Sequence, residues 1–277
     1  MWQKLLHKWL KAPYILHTVQ FQAPKHYHAT VILLHGIGSS TAMWDDVATK
    51  IPLDARVIAV DLLGFGKSPK PDWNTYSARI QADSIATTLF SMRITGPVVV
   101  VGHSLGALVA VEFSRRYPIM TKSLVLVSPP LYHPDHHTKG IGYKPEQAIR
   151  RAYALMRERP LDTERVLRLA SKYNLINKGF LVENINVPAY LATLNSVIIN
   201  QTSYHDILRI KRPIHIISGA LDMLVLDSTL RSITKSQPNV TWKRIPAGHE
   251  ISGLMLVAVS RAINQALREA VTPRNMV

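Results

Sequence analysis

Val98-Val99-Val100-Val101-Gly102-His103-Ser104-Leu105-Gly106-Ala107 places four valines directly before a Gly-x-Ser-x-Gly string, with a helix-forming stretch after it. A continuous β-branched run suits a strand buried on both faces, as in a parallel sheet flanked by helices. Gly102 and Gly106 leave room for a tight strand–turn–helix passage where a side chain would collide. Such a turn lifts a serine hydroxyl above the sheet. In a chain with 13 glycines the string alone is weak, and the flanking strand and helix give it its meaning. Ser104 is therefore the candidate nucleophile.

Similar apolar runs recur on both sides: Thr30 to Leu34, Arg56 to Val60, Leu124 to Val127 and Ile214 to Ile217, alongside Pro97 to Val101 itself. Tyr76 to Met92 and Leu105 to Tyr117 have helical spacing, and Pro118 stops the second. This alternation predicts an α/β fold with right-handed crossovers and a mostly parallel central sheet flanked by helices. Tyr14 to Phe21 is expected to add an antiparallel edge strand. The rhythm breaks at Ser128-Pro129-Pro130 and resumes at Pro213, with helical stretches such as Pro145 to Arg159 and Val187 to Asn200 between. The expected organisation is a core of residues 1–130 and 206–277 with an inserted helical lid, 131–205.

A serine hydroxyl needs a base to take its proton, and the base needs a carboxylate to orient it. Asp222 ends Ile216-Ile217-Ser218-Gly219-Ala220-Leu221-Asp222, just past a strand. His249 sits in Pro246-Ala247-Gly248-His249-Glu250, between the short strand Thr241 to Ile245 and a long helix. The order Ser, Asp, His is that of strand–turn–helix nucleophiles. Asp227 is a rival acid, but it stands where a helix N-cap is expected. The oxyanion of a tetrahedral intermediate needs amide donors. Leu105, opening the helix after the serine, and Ile37, in Leu34-His35-Gly36-Ile37-Gly38-Ser39-Ser40, are the expected ones, with His35 and Gly36 shaping that loop.

His35-Gly36, Asp61-Leu62-Leu63-Gly64-Phe65-Gly66-Lys67-Ser68, Gly102 to Gly106, Asp222 and Gly248-His249 together resemble the α/β-hydrolase superfamily. The resemblance is to its lid-bearing branch of esterases, lipases, lactonases and carbon–carbon bond hydrolases, and it spans nearly the whole chain. It implies cleavage of a carboxylic ester-like bond of a small or lipid-like substrate, through an acyl-enzyme, with no cofactor and no metal. It also implies that the Asp61 to Ser68 loop is a structural turn near the site. Serine at position 104 argues against dehalogenases and epoxide hydrolases, which use an aspartate there. Three alternatives stay open: a hydrolase of carbon–carbon bonds in dienoic diketones, a lipase or acyltransferase at a membrane surface, and a small-molecule receptor retaining the triad.

Composition narrows the setting. The chain has 277 residues, 47% of them hydrophobic and 18% charged, which suits a large folded core and excludes general disorder. No apolar run reaches the roughly 18 residues of a membrane span, and no secretory signal is apparent. Without cysteine there is neither a disulfide scaffold nor thiol chemistry, and a cytoplasmic enzyme is the default expectation. Thirty-three basic against eighteen acidic residues give a net charge of +15, which favours anionic partners. No nucleic-acid-binding signature accompanies that charge, so no specific nucleic-acid partner is expected. Trp2, Leu5, Leu6, Trp9 and Leu10 share one helical face, with Lys4, Lys8 and Lys11 elsewhere, so residues 1–11 are expected to contact anionic membrane peripherally. Tyr132 to His137 holds three histidines and an aspartate, but in no standard zinc spacing, and is read as an exposed loop. The apolar positions of Leu254 to Leu267 are read as core.

Overall fold

A computed structural model describes residues 4–132, 145–158 and 186–271. Seven strands form one sheet in the order β1-β3-β2-β4-β5-β6-β7. They are β1 (Thr18–Gln22), β2 (Thr30–Leu34), β3 (Arg56–Val60), β4 (Val98–His103), β5 (Thr121–Val127), β6 (Ile214–Gly219) and β7 (Val240–Ile245). Every neighbouring pair is parallel except β1 with β3. The valine run pairs with β2 from Thr30↔Val98 to Leu34↔Gly102, which makes β4 an inner strand.

Alternate residues of these strands enter two separate cores, as the two-residue period of a strand requires. Ile32, Leu34, Ile58, Val100 and Leu126 face α2 (Ala78–Ser91) and α3 (Leu105–Arg116). Val31, Leu33, Val57, Val99 and Val101 face Trp44, Val47 of the short helix α1 (Asp45–Ala48) and the C-terminal helix Gly253–Val271. Within that last helix Met255, Val259 and Ile263 are buried, whereas Leu254 and Val257 are exposed, so its apolar positions are not all core.

The edge strand is shorter than the apolar pattern from Tyr14 suggests. The Tyr14 and Leu16 amides donate to Ser84 Oγ (3.0 Å) and Thr88 Oγ1 (2.9 Å) of α2, so the chain there is held by a helix and joins the sheet only at Thr18. Between β5 and β6 the described residues form α4 (Pro145–Glu158), α5 (Val187–Thr193), a π-helical turn Leu194–Ile199 and α6 (Ser203–Ile207). Ala189, Leu194, Val197, Ile198 and Ile207 of this stretch are buried in the α2–α3 core. The C-terminal layers add α7 (Asp227–Ser236) and α8 (Gly253–Val271).

Candidate active site

The strand-to-helix turn carries Ser104 at φ 51° and ψ −115°, between β4 and α3. A non-glycine residue held in such a region costs about 1–3 kcal/mol, which the surrounding packing must offset. The turn is pinned by the Ser104 amide donating to the Val127 carbonyl (2.9 Å) and the Ala107 amide donating to the Ser104 carbonyl (3.0 Å). Helix and sheet approach so closely here that a Cβ on Gly106 would lie 2.3 Å from the Leu34 carbonyl oxygen. One on Gly102 would lie 2.3 Å from the Gly106 carbonyl oxygen.

Asp222 and His249 follow the adjacent strands β6 and β7. Their loops touch at Gly219, where a Cβ would stand 2.2 Å from the Gly248 carbonyl oxygen. The Leu221 amide donates to the Ala247 carbonyl (3.0 Å) across the same junction. His249 Nδ1 then donates to Asp222 Oδ2 at 2.8 Å, while Asp222 Oδ1 accepts from the Leu224 amide at 2.9 Å. Burial pushes the Asp222 carboxyl up, but His249 and the Leu224 amide outweigh it and hold the group below its ordinary range. The Ser128 hydroxyl adds to this lowering, although it makes no hydrogen bond of good geometry among the described residues. Ser128 itself stands at φ 48°, at the end of β5.

His103 links the serine turn to the histidine loop. Its Nε2 donates to the His249 carbonyl oxygen (3.0 Å), and the two rings lie 4.9 Å apart, which brings His249 beside the residue next to Ser104. No hydrogen bond joins Ser104 Oγ to His249 Nε2 among the described residues. Such contacts often tighten only when substrate is bound. The His103–His249 link joins residues far apart in the chain, and no periodicity or spacing marks it.

The loop after β2 lies against the same turn: a Cβ on Gly36 would stand 3.5 Å from Ser104 Cβ. His35 is fully buried, its Nδ1 donating to the Gly36 carbonyl (2.7 Å) and its Nε2 accepting from the Leu62 amide (2.9 Å). Leu105 is the first residue of α3, so its amide has no acceptor within the helix. No backbone carbonyl accepts from the Ile37 amide among the described residues. Asp61, 1% exposed, accepts from the amides of Thr41 (2.7 Å) and Lys67 (2.9 Å) and pairs with His17 (2.9 Å), tying three loops together.

Asp227 differs from its expected place. Leu226 occupies the cap position and Asp227 opens α7, its carboxylate 2.8 Å from Arg244 Nε. A negative charge in the first turn of a helix is favoured by the helix dipole, and this one pairs with Arg244, while the carboxylate bonded to His249 is that of Asp222. His133 to His137 lie outside the described residues. Among the described residues no group of three or more His, Asp and Glu side chains could hold a metal.

The chain belongs to the alpha/beta hydrolase fold family, whose sequence model matches residues 29–253. It is similar to the probable lysophospholipase BODYGUARD 2 of Arabidopsis thaliana, at 33% identity over 49% of this chain and 30% of that protein. It is also similar to the 1-acylglycerol-3-phosphate O-acyltransferase ABHD5 of Rattus norvegicus, at 30% identity over 40% of this chain and 32% of that protein. The chain thus spans about a third of the length of these curated relatives. Among solved structures, a thermophilic esterase from Thermogutta terrifontis superposes with a TM-score of 0.69, covering 93% of this chain and 94% of that one at 22% identity. That likeness concerns the fold.

Two of the buried histidines, His103 and His35, make the fold acid-sensitive. Burial, reinforced by the neighbouring His249, pushes His103 down to about 3, and burial also lowers His35. Both rings are therefore neutral in the folded protein while the unfolded chain takes up protons below its ordinary ~6.5, so stability falls as pH drops through that window. For His103 alone the loss between pH 7 and pH 5 is about 2 kcal/mol. Urea unfolding at the two pH values measures it, and His103→Gln is expected to remove about that much of the difference.

Proposed function

We propose that this protein is a serine hydrolase that cleaves a carboxylic ester of a small or lipid-like substrate through an acyl-enzyme. The observation that carries the reading is the 2.8 Å bond from His249 to Asp222, with His249 held by His103, the neighbour of a serine in a strained strand–helix turn. His249 Nε2 takes the Ser104 proton as Oγ bonds to the carbonyl carbon. The amides of Leu105 and Ile37 stabilise the oxyanion, and His249 returns the proton to the departing alcohol as the ester C–O bond breaks. Water, deprotonated by the same ring, releases the acid. Asp222, kept ionised, fixes the Nδ1–H tautomer that leaves Nε2 free to accept.

A lipid-like substrate is supported by the similarity to a probable lysophospholipase. Residues 131–205 are proposed as the helical cap that sets acyl specificity. The enzyme is proposed to act in the cytoplasm.

A fluorophosphonate probe is expected to label the wild-type protein covalently and to leave Ser104→Ala unlabelled. Undiminished labelling of that variant would overturn the assignment. Steady multiple turnover across a series of chromogenic acyl esters is expected, and ligand-induced stabilisation without turnover would instead identify a receptor.

A further inference from the structure

We propose that the N-terminal segment from Leu5 to Ile15 is a preformed docking surface for an anionic lipid bilayer. Single exposed apolar side chains are ordinary on a protein surface, whereas a cluster of large ones is not. Here Trp9 (72% exposed), Leu10 (68%), Ile15 (54%), Leu6 (47%) and Leu5 (46%) fall within one short stretch. Trp2, which belongs to the same sequence pattern, lies outside the described residues.

The segment is anchored to the body of the protein. Residues Lys4–Trp9 form a π-helical turn in which the Leu10 amide donates to the Leu5 carbonyl (3.1 Å) and the Ala12 amide to the Leu6 carbonyl (3.1 Å). His7 faces inward: its Nδ1 donates to the Ala12 carbonyl (2.9 Å) and its ring stacks on Tyr14 at 4.0 Å. Tyr14 is buried and its amide is bonded to α2. The protein therefore holds His7 and Tyr14 inside and presents Leu5, Leu6, Trp9 and Leu10 outside. A collapsed tail would do the reverse.

Charge selects the occupant. Lys8 and Lys11 are exposed among the apolar side chains. Lys70 lines the adjoining cleft of about 650 Å³ between Leu6, Ile15, Pro71 and Trp73, half-buried with its ammonium donating to the Gly66 carbonyl, so Lys8 and Lys11 supply the free charge. Asp72 lies on the rim of that cleft, and Asp83, near Lys8, is already engaged by Arg116 and Arg79. Each lysine near an anionic leaflet is worth about 1 kcal/mol, and indole rings favour the headgroup level. A second copy of this chain, itself carrying +15, would be repelled from the same surface. Among the described residues no helix is long and apolar enough to cross a membrane, so the contact is one of lying on the surface. The loop carrying Trp73 continues to Tyr76, whose carbonyl accepts from Ser196 Oγ (3.1 Å), so the docked face adjoins the helices between β5 and β6.

Flotation of the full chain carrying Ser104→Ala, with vesicles of phosphatidylcholine alone or mixed with phosphatidylglycerol, tests this independently of the catalytic reading. Binding to the anionic vesicles is expected, weakened by high salt. The exposed double variant Trp9→Ser/Leu10→Ser is expected to reduce it about tenfold or more, since two buried apolar side chains are lost. In the Ser104 background its thermal unfolding, and in the native background its turnover of a water-soluble ester, are expected to be unchanged. Lys8→Gln/Lys11→Gln is expected to weaken binding to anionic vesicles only. Equal binding of the Trp9/Leu10 variant, no binding of the parent, or self-association abolished by that variant would overturn the proposal; the last would assign the surface to a second copy.

Discussion

Replacing Ser104 by alanine is expected to lower kcat for a short-chain chromogenic ester by roughly 10⁴- to 10⁶-fold, with KM little changed. His249→Ala is expected to cost a similar factor, and the double variant no more than either single one, because on the proposed mechanism nucleophile and base act as one unit. Asp222→Asn is expected to cost roughly 10⁴-fold for a different reason. The Asp222 carboxylate accepts from His249 Nδ1 at 2.8 Å, and its ionised state selects that tautomer. An asparagine can offer its NH₂ to Nδ1 instead, which moves the ring proton to Nε2, where it blocks acceptance from Ser104. Steady-state kinetics of the single variants and the double variant decide the matter. Losses that multiply in the double variant would show that Ser104 and His249 do not share a step.

The largest effect on stability is expected at Gly106. A Cβ there would meet backbone at 2.3 Å (Leu34 O) and 2.6 Å (His35 O), with no flexible side chain to yield. Gly106→Val must either separate α3 from the sheet or tear the β2 loop, and the expected loss is roughly 4 kcal/mol or more. That is a large part of the 5–15 kcal/mol typical of a folded domain, so the variant is expected to be insoluble or unfolded at 37 °C. Gly96→Ala is the control, since a Cβ at that exposed turn meets nothing within 4 Å. Soluble yield and urea midpoints provide the measurement. A Gly106 variant as stable as the parent would contradict the close helix–strand contact.

Parts of this structure were legible in the residues because one physical constraint dominated them. Strands β2 and β3 coincide with the apolar runs Thr30 to Leu34 and Arg56 to Val60, since both faces of an inner parallel strand must be apolar. The start of β1 was not legible, because side chains of α2, and not strand neighbours, take the Tyr14 and Leu16 amides. Helix α7 begins one residue off the expected cap, with Asp227 as its first residue and paired with Arg244. In the site, the pairing of Asp222 with His249 at 2.8 Å could be read from their order after successive strands. The contact of His103 with the His249 carbonyl could not, because it exists only once distant segments have met. His103 reaches across 146 positions to the His249 carbonyl.

That same span has a consequence for synthesis. The turn carrying Ser104 follows β4, near the sheet's centre, while His249 follows β7, the last of the described strands in both chain and space. Domains form as their segments leave the ribosome, and pairings between distant segments come late. A nascent chain ending before Pro246 carries Ser104 and Asp222 but lacks His249, the proposed base. On the proposed mechanism, activity is switched on only when the final strand docks, so an unfinished chain cannot hydrolyse the esters around it.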